Sequence, residues 1–224
     1  MRTMVIGAHP DDEVIGCGGK ILSQKSAGDE VCWLLATTIK GLDGWPEEKI
    51  SRRKEQIERV SHLFSFDEVY LLDWPAARLD TLPIQEMVQK VSSAVNEFQP
   101  EEILIPNLGD VHSDHRVLHN VAISCSKWFR FPFIKRIMAY EVLSETEIAP
   151  CSNDSFIPNV FIDISEFLER KLDALKIYDD EIQEFPFPRS IGAVDALAKF
   201  RGASSGYKAA EAFELLRERI EIGR

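Results

Sequence analysis

The sequence has little of what would tie it to an oxidising compartment, a bilayer or a polyanion. Its four cysteines, Cys17, Cys32, Cys125 and Cys151, are scattered with no Cys-x-x-Cys pair, which fits reduced, mostly buried thiols rather than a disulfide frame. The longest apolar run, residues 31–39, is about half of what a membrane-spanning helix needs. No secretory leader precedes the first strand-like run, so the expected setting is soluble and cytoplasmic. Lysine and arginine number 26 against 37 acids, a net charge of −11. A chain so short of positive charge lacks the basic face that phosphate backbones demand, which argues against nucleic acid and against a generic anionic membrane surface. Repeats and low-complexity tracts are missing too. At 224 residues the chain suits one well-buried domain, 1–224, and is short for two.

What is present is an alternation of short apolar runs and longer amphipathic ones. Strand-like runs fall at 3–8, 31–36, 68–72, 102–106, 137–141 and 159–163, and helix-like ones at 13–27, 47–63, 83–98, 116–127 and 165–180. In the second helix Ile50, Ile57, Val60 and Leu63 recur at near-helical spacing. The run from Val31 to Ala36 is continuously apolar, as strands buried on both faces are. Such alternation predicts an α/β, Rossmann-like, doubly wound and mainly parallel sheet, flanked by helices in a three-layer sandwich. Gly16, Gly18 and Gly19 interrupt the first helix. Their spacing is not the dinucleotide fingerprint, and close helix–sheet packing is favoured over a phosphate cradle.

Two short stretches carry chemistry. The first strand runs into His9-Pro10-Asp11-Asp12-Glu13, and the fourth into Asn107-Leu108-Gly109-Asp110-Val111-His112-Ser113-Asp114-His115. Acids at a helix start are common caps. A histidine at a strand's carboxyl end, however, sits where open α/β sheets bind ligands. If the two strand ends are neighbours, His9, Asp12 and His115 supply two nitrogens and one oxygen and leave a fourth position open, the ligand count of a catalytic site. His119 could share a helix face with His115, but a lone helical histidine is more often a supporting or core residue. The same His-His-Asp set also describes non-haem Fe(II) sites.

Ala8 to Glu13 together with His112-Ser113-Asp114-His115 resembles the PIG-L/LmbE family of zinc-dependent N-acetyl-sugar deacetylases. Arg52-Arg53-Lys54-Glu55 resembles that family's Arg-x-x-Glu helix, and Phe200-Arg201-Gly202 through Ala210-Glu211-Ala212-Phe213 its C-terminal signature. Ser113 departs from a proline found in many members, and Asp110 stands where some place a tyrosine that polarises the substrate carbonyl. The resemblance implies His9, Asp12 and His115 as ligands of Zn²⁺, with Fe²⁺ an alternative. It implies Asp11 as general base, His112 as acid or oxyanion partner, and Asp114 as the carboxylate that orients His112 and keeps it charged. Glu13 reads as a cap or supporting hydrogen-bond partner. The resemblance implies that one of Arg52 and Arg53 enters the pocket to bind substrate hydroxyls or a phosphate, and the spacing to Glu55 favours Arg52. The implied activity is hydrolysis of the acetamide of an N-acetylated amino sugar, glycoside or conjugate, a small-molecule substrate, by a homo-oligomer such as a trimer or hexamer. The alternatives are a non-catalytic metal- or sugar-binding protein on the same fold, and a hydrolase of another amide such as a thiol-sugar conjugate.

Three further features have plain readings. Trp74, in the loop after the third strand, could stack on a sugar but more commonly plugs such a loop onto the core. The aromatic and basic stretch 127–136 is expected to pack as a helix end, and the stiff loop 185–189 suits a pocket rim or an oligomer contact.

Overall fold

A computed structural model describes residues 1–149 and 155–222; Cys151 lies outside them. The strands are β1 Arg2–Gly7, β2 Glu30–Thr38, β3 Glu68–Pro75, β4 Glu102–Pro106, β5 Arg136–Tyr140, β6 Val160–Asp163 and β7 Ala210–Glu218. The helices are α1 Asp12–Ser26, α2 Glu47–Phe64, α3 Ile84–Phe98, α4 Ser113–Ser124, α5 Leu168–Leu175 and α6 Ile191–Ser205. All seven strands join one sheet in the order β3-β2-β1-β4-β5-β7-β6. The first five run parallel, while β7 lies antiparallel to both β5 and β6.

Side-chain alternation divides the core into two halves. Val31, Trp33 and Leu35 of β2 pack on the face covered by α1, α2, α5 and α6, while Cys32, Leu34 and Ala36 pack with α3 and α4 on the other. Val5 of β1 joins the first set and Met4 and Ile6 the second. Both faces are thus apolar, so these strands carry near-continuous hydrophobic runs and the sheet becomes the middle of three layers.

The winding positions the site. From β1 the chain moves outward through β2 and β3, then returns to place β4 on the opposite side of β1. The carboxyl ends of β1 and β4 therefore flank the point where the strand order reverses, the place where doubly wound sheets leave a crevice. Both chemistry-bearing stretches emerge there.

Helix α1 lies close on the sheet because its glycines permit it. A Cβ on Gly16 would come within 2.2 Å of Cδ2 of Tyr140, and one on Gly19 within 2.5 Å of Ile164. The same region meets the C-terminal strand. The amides of Gly19 and Lys20 donate to the Glu211 carboxylate at 2.7 and 2.8 Å, and Lys171 Nζ bridges Glu211 and the Ile15 carbonyl at 2.6 and 2.7 Å. Inserted side chains of this kind open a helix ladder while leaving its polar groups bonded.

Three expectations are corrected. The helix expected over 165–180 is confined to Leu168–Leu175; Ser165 bonds back to Asp163 in a turn, and residues 176–180 form turns beside the cleft. Helix α6 and strand β7 were not foreseen, and β7 makes this edge of the sheet antiparallel. The stretch 127–136 is only half packed: Phe131 and Ile134 are buried, whereas Trp128 and Phe129 are exposed. Trp74 is buried in the core, as a plug would be. Cys17, Cys32 and Cys125 are buried free thiols. Among the described residues no helix is long and apolar enough to cross a membrane.

Candidate metal centre and active site

The centre is built from the first residues after β1 and the first turn of α4. Asp12, at the start of α1, turns its carboxylate back to accept from the Ala8 and His9 amides, both at 2.8 Å. This fixes the turn between strand and helix. His115 Nε2 lies 3.3 Å from Asp12 Oδ2 and 3.3 Å from His9 Nδ1. One ligating atom from each of the three residues falls within 4.8 Å of the others.

Each histidine is gripped from behind by a carboxylate. His9 Nε2 lies 3.0 Å from Asp114 Oδ2, and His115 Nδ1 lies 2.8 Å from Asp110 Oδ2. A carboxylate on the rear nitrogen keeps the proton there, so the facing nitrogen presents a lone pair. Two imidazole lone pairs and a carboxylate then converge on one point, an arrangement that repels itself unless a positive charge sits between. Without a cation, a second proton on His115 meets the same demand for positive charge, and a metal ion would displace it. Burial alone would lower His115, but Asp12 and Asp110 outweigh it and hold the imidazole well above its usual range. Burial would raise Asp12, yet His115 and His9 hold it well below. This donor set fits a divalent cation of the zinc or iron type, with Asp110 and Asp114 behind the ligands.

Asp11 is the N-cap of α1 and sits at φ 113°, a conformation rare outside glycine and tolerated best by Asp and Asn. Glu13 holds it there: its Oε2 accepts from the Asp11 amide at 3.1 Å, while its Oε1 accepts from the Tyr178 hydroxyl at 2.8 Å. Burial, reinforced by the neighbouring Asp12 charge, pushes the Asp11 carboxyl up to about 8 against the pull of Arg189. Arg189 Nη1 donates to Asp11 Oδ2 at 3.2 Å. Burial likewise pushes Glu13 up to about 8.

The arrangement around His112 differs from the expected one. The Asp114 carboxylate does not hydrogen-bond the His112 ring. Its carboxylate accepts from the Ala77 and Leu79 amides at 2.6 and 3.1 Å besides contacting His9. His112 caps α4 instead, with Nδ1 accepting from the Asp114 amide at 3.1 Å. Burial, then the neighbouring His9, lowers His112 to about 4, so it is a neutral imidazole whose proton is on Nε2. His119 is not in the cluster; its Nδ1 bonds the Pro106 carbonyl at 2.8 Å.

A cleft of about 300 Å³ opens over the centre, with His9, Asp11 and His112 at its floor and Arg53, Glu145 and Arg189 among its walls. Arg52 is not in it. Half exposed, it pairs with Asp179 on the outside at 2.6 Å. One helical step turns Arg53 inward instead, where it is buried and contacts Asp180 at 3.2 Å and also Glu181. Of the two candidate arginines the structure thus turns in Arg53 and not the favoured Arg52, while Asp110, Arg189, Glu181 and Glu145 were missed as site residues. Asp110 had a signal, an acid five residues ahead of a candidate ligand histidine, whereas Arg189 and Glu145 stand in no motif.

Fold and site together define an α/β protein with a candidate divalent-metal centre at the switch point of its sheet. A family model described as PIG-L, GlcNAc-PI de-N-acetylase, matches residues 4–126, more than half of the chain and both halves of the centre. This protein belongs to the PIG-L family. It is 25% identical to a diacetylchitobiose deacetylase from Thermococcus kodakarensis over 220 residues, 94% of this chain and 81% of that one. Its fold matches that of the N,N'-diacetylchitobiose deacetylase from Pyrococcus horikoshii with a TM-score of 0.78 at 21% identity, covering 96% of this chain and 84% of that one. A 4-carboxy-2-hydroxymuconate hydratase from Pseudomonas putida KT2440 also matches with a TM-score of 0.78, at 16% identity over the whole of both chains. The fold by itself therefore does not choose the reaction, and the site must.

Proposed function

We propose that this protein is a metal-dependent N-deacetylase that hydrolyses the acetamide of an N-acetylated amino sugar or its glycoside. The observation that carries the reading is the position of Asp11: a carboxylate held in a strained backbone next to the ligand cluster, open to the cleft, with a raised proton affinity. Strain of that kind persists only where surroundings enforce it, and here Glu13 and Arg189 do so.

His9, Asp12 and His115 would hold the cation, most naturally zinc. When bound, it would acidify an attacking water and polarise the acetamide carbonyl. Asp11 takes the proton from that water; its proton affinity is raised by burial and the Asp12 charge, and the positive charge of a cation at the adjacent site would bring it back down to the range of a working base. Arg189 fixes the direction of the Asp11 carboxylate. His112, neutral and with its Nδ1 committed to the α4 cap, offers Nε2–H as a hydrogen bond to the developing oxyanion, and the proton Asp11 has taken up is the one passed to the departing nitrogen. Arg53 shapes the wall that seats the sugar. Membership of the family and the name of the diacetylchitobiose deacetylase relative support an acetylated sugar as the substrate.

The test is acetate release by zinc-loaded protein from N-acetylglucosamine, its methyl glycoside and N,N'-diacetylchitobiose. Asp11→Asn, which accepts the same backbone conformation, should lower kcat by about 10²-fold or more with zinc content unchanged. Wild-type turnover in that variant would overturn the role of Asp11. Silence of the fully loaded wild type across the panel would favour another amide or a binding protein.

A further inference from the structure

The two arginines of the cleft suggest, by type alone, a subsite for an anionic substrate. Their partners argue otherwise. Arg53 is engaged by Asp180 and Glu181, and Arg189 by Asp11 and Glu181. Three carboxylates already answer two guanidiniums on this wall. Across from them stands Glu145, which also lines the cleft. Among the described residues no cation lies within ion-pair distance of it; its recorded side-chain partner is the Ser144 hydroxyl, donating to Oε1 at 3.3 Å.

The backbone that presents Glu145 is built for precision. Ser144 is at φ 79°, a left-handed conformation that a serine holds only when its neighbours impose it. On the far side, Thr146 Oγ1 donates to Asp110 Oδ1 at 2.7 Å and accepts from the Val142 amide at 2.8 Å. The Glu145 carbonyl accepts from the Val111 amide at 3.2 Å. Glu145 is thereby fastened to the same Asp110 that holds His115. The loop and the metal centre form one piece, which holds the Glu145 backbone at the cleft wall. A half-buried acid kept unpaired over the centre by such support is an investment that packing does not explain.

We propose that Glu145 selects substrates by charge: it accepts hydrogen bonds from the hydroxyl or ammonium groups of a neutral or cationic N-acetyl sugar, and disfavours sugars carrying phosphate or carboxylate near the acetamide. This rests on the deacetylase reading and adds the substrate class to it. The role is recognition, and Glu145 takes no part in the bond-breaking step.

The experiment compares zinc-loaded wild type with Glu145→Gln, which keeps size and hydrogen-bonding capacity but removes the charge. Acetate release is measured for methyl N-acetylglucosaminide, N-acetylglucosamine 6-phosphate and glucosaminyl-N-acetylglucosamine. Affinities for the same sugars are measured by calorimetry in an Asp11→Asn background, where hydrolysis does not intervene. The expected result is that Glu145→Gln shifts the preference towards the phosphorylated sugar, relative to the cationic one, by about tenfold or more, as removing a nearby unit charge should. The shift should appear in both kcat/KM and affinity. Unchanged ratios with normal turnover overturn the role of Glu145 and leave the deacetylase reading intact. Loss of bound zinc in Glu145→Gln makes it a metal ligand and overturns the selection role. Failure of every sugar to bind or react overturns the proposal together with the reading beneath it.

Discussion

Replacing Asp110 by asparagine should weaken divalent-metal binding by about 10- to 100-fold, the range typical of lost carboxylate support behind a ligand histidine, or about 1.4 to 2.8 kcal/mol. The magnitude follows from what Asp110 does. Fully buried, it accepts from Thr146 Oγ1 at 2.7 Å and faces His115 Nδ1 at 2.8 Å. An asparagine fills the same space but can present only one acceptor. If its oxygen faces His115, the imidazole keeps its tautomer but loses the anion that strengthens it as a donor. If its amide group faces His115, the ring proton must move to Nε2, into the ligand position itself. Either outcome costs affinity without opening a cavity, so the metal-free protein should still fold cooperatively, with a melting temperature lowered by the loss of the buried Asp110–His115 pair. The assay is zinc competition against a chelator of known affinity, run beside thermal unfolding of both proteins. A variant that binds zinc as tightly as wild type would refute the claim that Asp110 sets the basicity of His115. The claim would fail equally if the affinity loss tracked a general loss of folding.

Gly16→Ala should destabilise the protein by about 1–3 kcal/mol in urea unfolding, because its Cβ would lie 2.2 Å from the Tyr140 ring, whose hydroxyl is tied to the Ile6 carbonyl at 2.7 Å. Arg53→Ala should cut kcat/KM by about tenfold or more, since it leaves Asp180 without a cation and Glu181 with Arg189 alone, at 3.6 Å, in the cleft wall, whereas Arg52→Ala should leave turnover unchanged; equal effects of the two would refute the inward and outward assignment. His119 contributes a pH dependence. Burial lowers its pKa below the ordinary 6.5, partly offset by the Pro106 carbonyl, so the unfolded chain protonates first as pH falls. Its stability contribution is therefore complete above about 6.5 and is lost progressively below it. The fall in urea midpoint from pH 7.5 to pH 5.5 should be smaller for His119→Asn than for wild type; an identical fall would refute it.

The parallel half of the fold was legible because burial on two faces writes itself into sequence. Strands such as β2 must be apolar throughout, and the turn that follows each must accommodate a helix start, so composition changes sharply at every boundary. The C-terminal quarter follows other rules. Helix α6 carries small residues, with Val194, Ala198 and Gly202 as its buried positions, and Gly202 is needed because a Cβ there would come within 2.8 Å of the Ala209 backbone. That is close packing achieved with little hydrophobic area, and no periodic apolar stripe announces it. Strand β7 ends in exposed charged residues and pairs against the local direction of the sheet, which alternation of strands and helices cannot foretell. The over-long helix at 165–180 has the opposite origin. Its apolar period is real, but Tyr178 turns to Glu13 and residues 179–181 turn to α2, so site contacts override helical propensity.

The site divides along the same line. Candidate ligands can be read from sequence because a metal tolerates few residue types and the two strand ends deliver them in compact runs. The groups that make those ligands useful arrive from elsewhere. Glu13 and Asp114 are inside the runs, yet their partners are Tyr178, Ala77 and Leu79. Asp110 supports His115 but is itself secured by Thr146. Arg189 reaches Asp11 across 178 positions of sequence. Support of this kind depends on convergence in space, and any loop of suitable length can supply it. That is also why one fold in this set of neighbours carries both a deacetylase and a hydratase. The loop walls are free to change while the strand ends hold their places. Backbone strain marks where that freedom was used: Asp11, Ala77 and Ser144, at φ 113°, 58° and 79°, all stand around the cleft. Each is held by a hydrogen bond or a tethered neighbour that leads back to the ligand cluster. Substrate selection is therefore expected to reside in residues carried by these strained turns, with Glu145 the first to examine.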